Sequence, residues 1–116
     1  QLTEDEIARM EAPPSVDCFT QAISVADETT KTTTVTCPAG CDIDPSTIWG
    51  TDIYTNDSSI CVAAIHAGVI DSSGGAVAVT QIEGQSAYIS TTQNGITSSE
   101  YGEWGASFSV AVPETE

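Results

Sequence analysis

The chain has 116 residues, of which 17 are acidic and only Arg9 and Lys31 are basic, so its formal net charge is −15. Such a surface repels phosphate and has almost no Lys or Arg side chain to contact it, which excludes nucleic-acid binding and disfavours anionic lipid. The acidity has two interpretations: a solubility adaptation, for instance to a salty extracellular medium, or calcium binding by clustered carboxylates. The length allows one domain with one modest core.

Residues 1–14 form a predicted N-terminal extension with a short helix. Thr3-Glu-Asp-Glu6 has the pattern of a capping box, and Pro13-Pro14 would end the helix. No run of residues is apolar and long enough to span a membrane, and the chain begins at Gln1, as a processed mature chain or an excised fragment would. The predicted domain covers residues 15–112, and residues 113–116 form a solvated tail.

Short β-branched and aromatic runs separated by turn signals predict an antiparallel sheet. The predicted strands are residues 16–19, 34–37, 48–54, 76–82, 87–90 and 104–112. Turn signals lie at 71–75, at a predicted hairpin loop over 83–85, and at Asn94-Gly95. The polar stretch 26–34 is expected to be a loop or an edge hairpin. Trp104 and Phe108 share one face of the last strand and are both assigned to the core.

The segment from residue 58 to residue 68 is predicted to be a buried helix. Asp57 or Ser58 supplies the N-cap oxygen and Gly68 the C-terminal stop. Between them nearly every residue is apolar, and a helix that is apolar on all sides belongs inside a protein. The fold class is therefore α+β, with one central buried helix (about 58–68) and antiparallel sheet around it.

Four cysteines in a chain of this size indicate an oxidising compartment and two disulfides. A zinc site is the alternative, but only Cys37 and Cys41 form a close pair, whereas such sites usually contain two. Cys37 and Cys41 lie in one tight turn and are not expected to bond to each other. Each therefore needs a distant partner, and Cys18 and Cys61 are the two available.

Several motifs occur in the order found in a known family. They are Cys-Pro-Ala-Gly-Cys (37–41), Trp-Gly-Thr-Asp-Ile-Tyr (49–54), Ser-Ser-Ile-Cys-Val-Ala-Ala-Ile-His-Ala-Gly-Val-Ile (58–70), Gly-Gly (74–75), Tyr88, Asn-Gly-Ile-Thr-Ser (94–98), and Trp104 with Ser107-Phe108. Over about residues 16–112 the chain resembles the LCCL domain. The resemblance implies an extracellular module whose central helix is wrapped by two small antiparallel sheets. It also implies the disulfides Cys18–Cys37 and Cys41–Cys61, each closing a loop of about 20 residues and contributing about 3 kcal/mol.

His66, the only histidine, is the obvious candidate for catalysis. Its helix neighbours are apolar, and Ser59 lies two turns away, so neither a dyad nor a metal site is indicated. We interpret it as a buried neutral imidazole hydrogen-bonded within the core. No catalytic residue is therefore predicted, and the chain is not expected to be an enzyme.

Three further features are candidate sites. The acids Asp42, Asp44, Asp52 and Asp57 are weak calcium candidates, because their spacing is common by chance and solvated surface acids account for them better. Asn56-Asp57-Ser58 is an N-glycosylation sequon that matters only in a secreted eukaryotic protein. The aromatic residues could form a ligand platform or pack in the core, and Tyr101 is the most exposed by sequence context. The aromatic residues in question are Trp49, Tyr54, Tyr88, Tyr101 and Trp104.

These observations favour a non-catalytic, secreted or cell-surface module for binding or adhesion. Its expected partner is a carbohydrate, a glycolipid or an extracellular protein, with no nucleic acid, no membrane insertion and no required cofactor. The family's functions that depend on anionic ligands such as lipopolysaccharide are in doubt for so acidic a chain. The alternative is a ligand-free structural spacer, with calcium as its only conceivable stabilising ion.

Overall fold

The computed structural model describes residues 15–25, 32–43 and 47–113. The predicted N-terminal helix in residues 1–14, the calcium candidate Asp44, and all but the first residue of the tail 113–116 lie outside the described residues. Most of the polar stretch 26–34 lies outside them too, but its last residues, from Thr32, belong to a strand. One helix and two antiparallel sheets make up the described fold, which confirms the predicted α+β class.

The main sheet has five strands in the order β1-β4-β7-β3-β2. The strands are β1 (Thr32–Cys37), β2 (Gly50–Thr51), β3 (Ile53–Thr55), β4 (Gly75–Gln85), and β7 (Trp104–Ala111); β5 (Thr92–Gln93) and β6 (Ile96–Thr97) form the second sheet. β4 lies between β1 and β7 and sets the register, with Val35 opposite Val77 and Val79 opposite Val110. A 3-10 helix at Ala22–Val25 precedes β1.

The only α-helix in the described part of the chain, α1, runs from Ile60 to Ala67, and every side chain from Ile60 to His66 is buried. Gly68 ends it in the left-handed conformation (φ 84°), as predicted, and its N–H bonds the carbonyls of Ala64 and Ile65. Side chains from the main sheet complete the core. They are Val35, Tyr54, Val77, Val79 and Phe108, all with no exposed surface.

The N-cap of α1 is Ser59, not Asp57 or Ser58 as predicted. The Ser59 hydroxyl accepts the Val62 N–H and donates to the Cys18 carbonyl at 2.7 Å. Ser58 is committed elsewhere, because its Oγ accepts the Trp49 N–H at 2.9 Å. The Asp57 carboxylate accepts the Thr55 hydroxyl at 2.6 Å. Three adjacent polar residues could have capped the helix, and their tertiary partners decided among them.

Two predicted strands are absent, and a third prediction, the single strand 48–54, is instead the antiparallel pair β2 and β3, in which Gly50 lies opposite Tyr54. Residues 16–19 form a turn closed by the Asp17 carboxylate, which accepts the Phe19 N–H and the Thr20 hydroxyl. Residues 87–90 make only an isolated bridge, between Tyr88 and Tyr101. In both places the side-chain alternation was present, but no strand runs alongside for more than one residue.

The predicted hairpin loop at 83–85 is also wrong, because β4 continues straight through it to Gln85. Gly84 permits this: a Cβ at this position would lie 2.0 Å from the Trp104 carbonyl oxygen. The glycine therefore marks a close approach of two paired strands and not a turn.

The disulfide pairing implied by the family resemblance is corrected by the structure. The bonds are Cys18–Cys41 and Cys37–Cys61, with Cα–Cα distances of 5.1 and 5.7 Å. Cys37 ends β1 facing inward, so it meets Cys61 in the first turn of the buried helix. The segment before Cys18 runs parallel to β1, with Ser15 beside Thr36, and carries Cys18 past the strand end to the turn that holds Cys41.

Candidate functional site

His66 lies fully buried, and both of its ring nitrogens are used by the core. Nε2 is 3.1 Å from the Thr91 carbonyl oxygen, and Nδ1 is 2.9 Å from the Tyr54 hydroxyl. The Thr91 hydroxyl also lies 3.1 Å from Nε2. Because a carbonyl oxygen can only accept, we assign the proton of the imidazole to Nε2, so that Nδ1 accepts from Tyr54. Neither nitrogen is left to contact a substrate.

Tyr54 is the other half of this buried pair. Burial raises the pKa of Tyr54 to about 12, so the phenol stays neutral and able to donate far above physiological pH. Its ring also packs edge-on against His66, with the ring centroids 5.7 Å apart. Among the described residues, every buried side-chain nitrogen and oxygen has a hydrogen-bond partner.

Three of the five aromatic side chains considered as a platform meet at the surface. Trp49, Tyr101 and Trp104 line a small depression together with Thr55 and Asp57, here called the aromatic notch. Its volume is about 40 Å³, little more than the roughly 30 Å³ that one water molecule occupies in the liquid. It can therefore accept one small chemical group, such as a hydroxymethyl or a methyl. The other two aromatic residues, Tyr54 and Tyr88, are buried.

Backbone and side-chain bonds hold the aromatic notch in place. Trp49 is fixed by a bridge to Ser99, and Tyr101 by paired backbone bonds with Tyr88 at 2.8 and 3.1 Å. The Trp104 indole donates to the Asn56 side-chain oxygen at 2.8 Å. The rings of Tyr101 and Trp104 pack edge to face with centroids 5.6 Å apart. A ligand would meet a surface whose shape is already set.

The two aromatic residues assigned to the core differ in the structure. Phe108 has no exposed surface, whereas Trp104 is only half-buried and lines the aromatic notch. The alternation along β7 placed them on one face. However, strand β7 begins at Trp104, at its end of the sheet, where the indole is left half-buried.

The sequon residue Asn56 stands beside the aromatic notch. Its side-chain oxygen is engaged by Trp104, and the hydroxyl of the sequon's third residue, Ser58, is buried between Trp49 and Thr55. Both sequon side chains thus have a structural use in the folded domain. Glycosylation of Asn56 stays a prediction for a secreted eukaryotic protein.

A second, larger depression lies at the C-terminal end of α1 and has a volume of about 730 Å³. We call it the acidic groove. Three segments that are distant in sequence line it: residues 65–76, from the end of α1 to the start of β4; the turn that holds Asp42; and the β5–β6 hairpin. Among the described residues that line it, Asp42 and Asp71 are the only ones with ionisable side chains. No local sequence signal predicted this groove. The residues around Asp71 predicted only a turn, and those around Asn94 predicted only another turn.

The three calcium candidates that the structure describes line three different depressions. Asp42 lines the acidic groove, Asp57 lines the aromatic notch, and Asp52 lines a third depression beside Tyr88 and Ile89. Within the residues that the structure describes, no three His, Cys, Asp or Glu side chains form a group able to hold a metal ion. Calcium needs six to eight oxygen ligands, which isolated carboxylates do not supply.

The fold and these depressions define a small, disulfide-bonded α+β module built around a buried helix. The LCCL domain family model matches residues 16–108. The chain is 40% identical to cochlin of Homo sapiens over 99 residues (85% of this chain), 39% identical to vitrin of Homo sapiens over 97 residues (84%), and 41% identical to clotting factor C of Tachypleus tridentatus over 97 residues (84%). The chain belongs to the LCCL domain family.

The similarity covers one module of much longer proteins. The matched segment is 18% of cochlin, 14% of vitrin and 10% of clotting factor C. In the described part of this chain, no helix has the length and apolar character needed to cross a membrane.

Proposed function

We propose that this chain is a non-catalytic extracellular binding module and that it contacts a carbohydrate through the aromatic notch. The observation that carries the proposal is the convergence of Trp49, Tyr101 and Trp104 at one opening, in a chain with few other aromatic residues. Sugar rings present apolar C–H faces that stack on aromatic side chains, and hydroxyl groups that hydrogen-bond to carboxylates such as Asp57. Tyr101, 45% exposed, provides the stacking surface next to the opening.

The charge of the chain narrows the class of carbohydrate. The described acids are Asp17, Asp42, Asp52, Asp57, Asp71, Glu83, Glu100 and Glu103, and the described residues include no Lys or Arg. Sulfated, phosphorylated or carboxylated glycans would meet repulsion from these acids, which no basic side chain among the described residues offsets. The preferred ligand is a neutral or amino sugar, free or carried on a glycolipid or glycoprotein.

An extracellular location and the absence of catalysis complete the proposal. Two disulfides and membership of the LCCL domain family support an oxidising, extracellular environment. The only histidine has both nitrogens engaged in the core, which supports a role without general acid or base chemistry.

The test is a glycan array followed by calorimetric titration of the best neutral or amino sugar. Tyr101→Ala should weaken binding by about tenfold, because it removes the stacking surface. Ile89→Ala is the matched control: Ile89 is also apolar and 70% exposed, but it lines the third depression. Binding by the Ile89→Ala variant should equal that of the parent.

The alternative function is a rigid spacer, and the small volume of the aromatic notch is the observation that favours it. An array on which no glycan binds, at low or high salt and with or without calcium, would replace the binding proposal by the spacer. Equal losses in the Tyr101→Ala and Ile89→Ala variants would instead move the site away from the aromatic notch.

A further inference from the structure

The acidic groove shares no residue with the aromatic notch and has a different chemistry. Its lining includes the apolar residues Ile65, Val69 and Ile70, and its charged residues among those described are Asp42 and Asp71. Both aspartates line the groove and are exposed, so a ligand in the groove can reach their carboxylates. A lining that combines apolar and acidic groups is complementary to a side chain that has an aliphatic stem and a cationic head.

The helix adds to this charge. The groove is lined by Ile65, Gly68, Val69 and Ile70, so it opens at the C-terminal end of α1, where the helix macrodipole is negative. Hydrogen bonds from Ser73, through its hydroxyl and its backbone N–H, hold the pKa of Asp71 below its ordinary value. Asp71 is therefore ionised at neutral pH.

The walls of the groove are fixed before any ligand arrives. The Gly40 N–H donates to the Ser72 carbonyl at 2.8 Å and joins the two turns that carry the aspartates. Asn94 donates its side-chain amide to the His66 carbonyl at 3.0 Å and holds the β5–β6 hairpin against the helix end. The two disulfides anchor the wall that carries Asp42, since they hold Cys37 and Cys41 at either end of its turn. Little ordering entropy would be lost on binding.

We propose that the acidic groove binds an arginine or lysine side chain on an extended, basic segment of a partner protein. The aliphatic stem lies on Ile65, Val69 and Ile70, and the cationic head pairs with Asp42 and Asp71 at the negative end of α1. Charge complementarity selects this partner over a second copy of the chain, because two chains of net charge −15 repel each other. This site goes beyond the proposed carbohydrate contact and does not depend on it.

The experiment uses the whole 116-residue chain, ¹⁵N-labelled, and the peptide acetyl-Gly-Arg-Arg-Gly-amide. Titration followed by NMR should shift the amide resonances of residues 65–76 and of Asn94, and leave those of Tyr101 and Trp104 unchanged. The peptide with citrulline in place of arginine has the same shape without the charge and should bind at least tenfold more weakly. Raising the salt concentration should also lower the affinity of the arginine peptide.

Two charge-matched variants separate a groove from general attraction to an acidic surface. Asp42→Asn with Asp71→Asn should weaken binding by about tenfold, because both charged partners are removed. Glu83→Gln with Glu103→Gln changes the net charge equally at residues outside the groove, and should leave the affinity within about twofold of the parent. Spectra of the unliganded variants show whether the turn around Asp71 is preserved, and Asp42→Asn alone should still weaken binding if it is not.

Equal weakening in both double variants would overturn the proposal, since it would show that net charge alone attracts the peptide. Shifts centred on Tyr101 and Trp104 would place the cation in the aromatic notch and overturn it too. Loss of glycan binding in the earlier experiment has no bearing on these outcomes.

Discussion

The two ends of α1 are built differently, although every residue from Ile60 to His66 is buried. At the N-terminal end, Ser58, Ser59 and Thr55 are all buried, and each hydroxyl has a protein partner. At the C-terminal end the chain turns through Gly68 into an open groove with two exposed carboxylates. One end is used to hold the fold together, whereas the other presents polar groups to solvent.

This difference shows where a small domain can place a binding surface. A buried polar group must be satisfied within the fold, so the hydroxyls of Ser58, Ser59 and Thr55 serve the fold and not a ligand. The exposed carboxylates of the groove stay available to a ligand. The contrast predicts that changes at these buried hydroxyls act on stability, and that changes at the groove act on binding.

The disulfide Cys37–Cys61, in the first turn of α1, should give the largest effect on stability. Replacing both cysteines by alanine should lower the free energy of unfolding by about 3 kcal/mol, because a bridge between residues 24 apart no longer restricts the unfolded chain. Urea denaturation measures the loss.

Peptide mapping of the unreduced parent provides the control for that experiment. Fragments joined through Cys37–Cys61 and Cys18–Cys41 are expected. A Cys18–Cys37 fragment would restore the pairing that the family resemblance implied and contradict the structure.

Tyr54 should give the next largest effect on stability, because its hydroxyl bonds His66 in the C-terminal half of α1. Its pKa in the folded chain is about 12, above the ordinary value of 10.0, so the unfolded chain loses this proton first. The stabilisation is complete below pH 10 and falls as pH rises to about 12, by on the order of 2 kcal/mol.

Thermal melts between pH 8 and pH 12 measure this alkaline loss. Tyr54→Phe should remove it, at the cost of leaving His66 Nδ1 without its donor at neutral pH. Tyr101→Phe, at an exposed tyrosine, should retain it. If the melting temperature of Tyr54→Phe falls at alkaline pH as steeply as that of the parent, another group is responsible.

Ser59→Ala tests the N-cap and should cost about 1 to 2 kcal/mol. The hydroxyl both accepts the Val62 N–H and donates to the Cys18 carbonyl, so two groups lose a partner. The control is Ser72→Ala at the other end, where the side chain is exposed. Similar melting temperatures for the two variants would remove the contrast between the helix ends.

The smallest effect should come from the exposed aspartates Asp17 and Asp71. Hydrogen bonds from the Thr20 hydroxyl and the Phe19 N–H lower the pKa of Asp17, and those from Ser73 lower that of Asp71. Because each folded pKa lies below the ordinary value of 3.8, the stabilisation is present above that pH and is lost as pH falls further. Acid titration of Asp17→Asn, Asp71→Asn and the parent should show a shallower loss in each variant. An equal loss of stability with falling pH in all three proteins would contradict the lowered pKa values of Asp17 and Asp71.

Local chemistry made part of the fold predictable. The apolar run before Gly68 predicted both the buried helix and its end, and the glycine is indeed the C-cap. Asn94-Gly95 predicted the β5–β6 turn, where both residues have positive φ. The alternation of apolar and polar side chains predicted the last strand. Each of these features depends on residues close together in the chain.

Contacts between distant segments decided the rest. Alternation alone could not show that residues 16–19 lack a neighbouring strand, or that the indole of Trp104 would be left half-exposed at the edge of the sheet. The turn containing Cys37 and Cys41 left two pairings open, and the pairing depended on where the sheet places the end of β1 relative to the first turn of α1.

The sequence by itself determined that this chain folds around a buried helix in an acidic, disulfide-bonded domain, because apolar pattern, charge and cysteine content are properties of composition and local order. Only the tertiary structure decided the cysteine partners, the N-cap, the aromatic notch and the acidic groove. Each of these requires groups from segments far apart in sequence to meet, and it is the packing of the sheet and hairpin around α1 that brings them together.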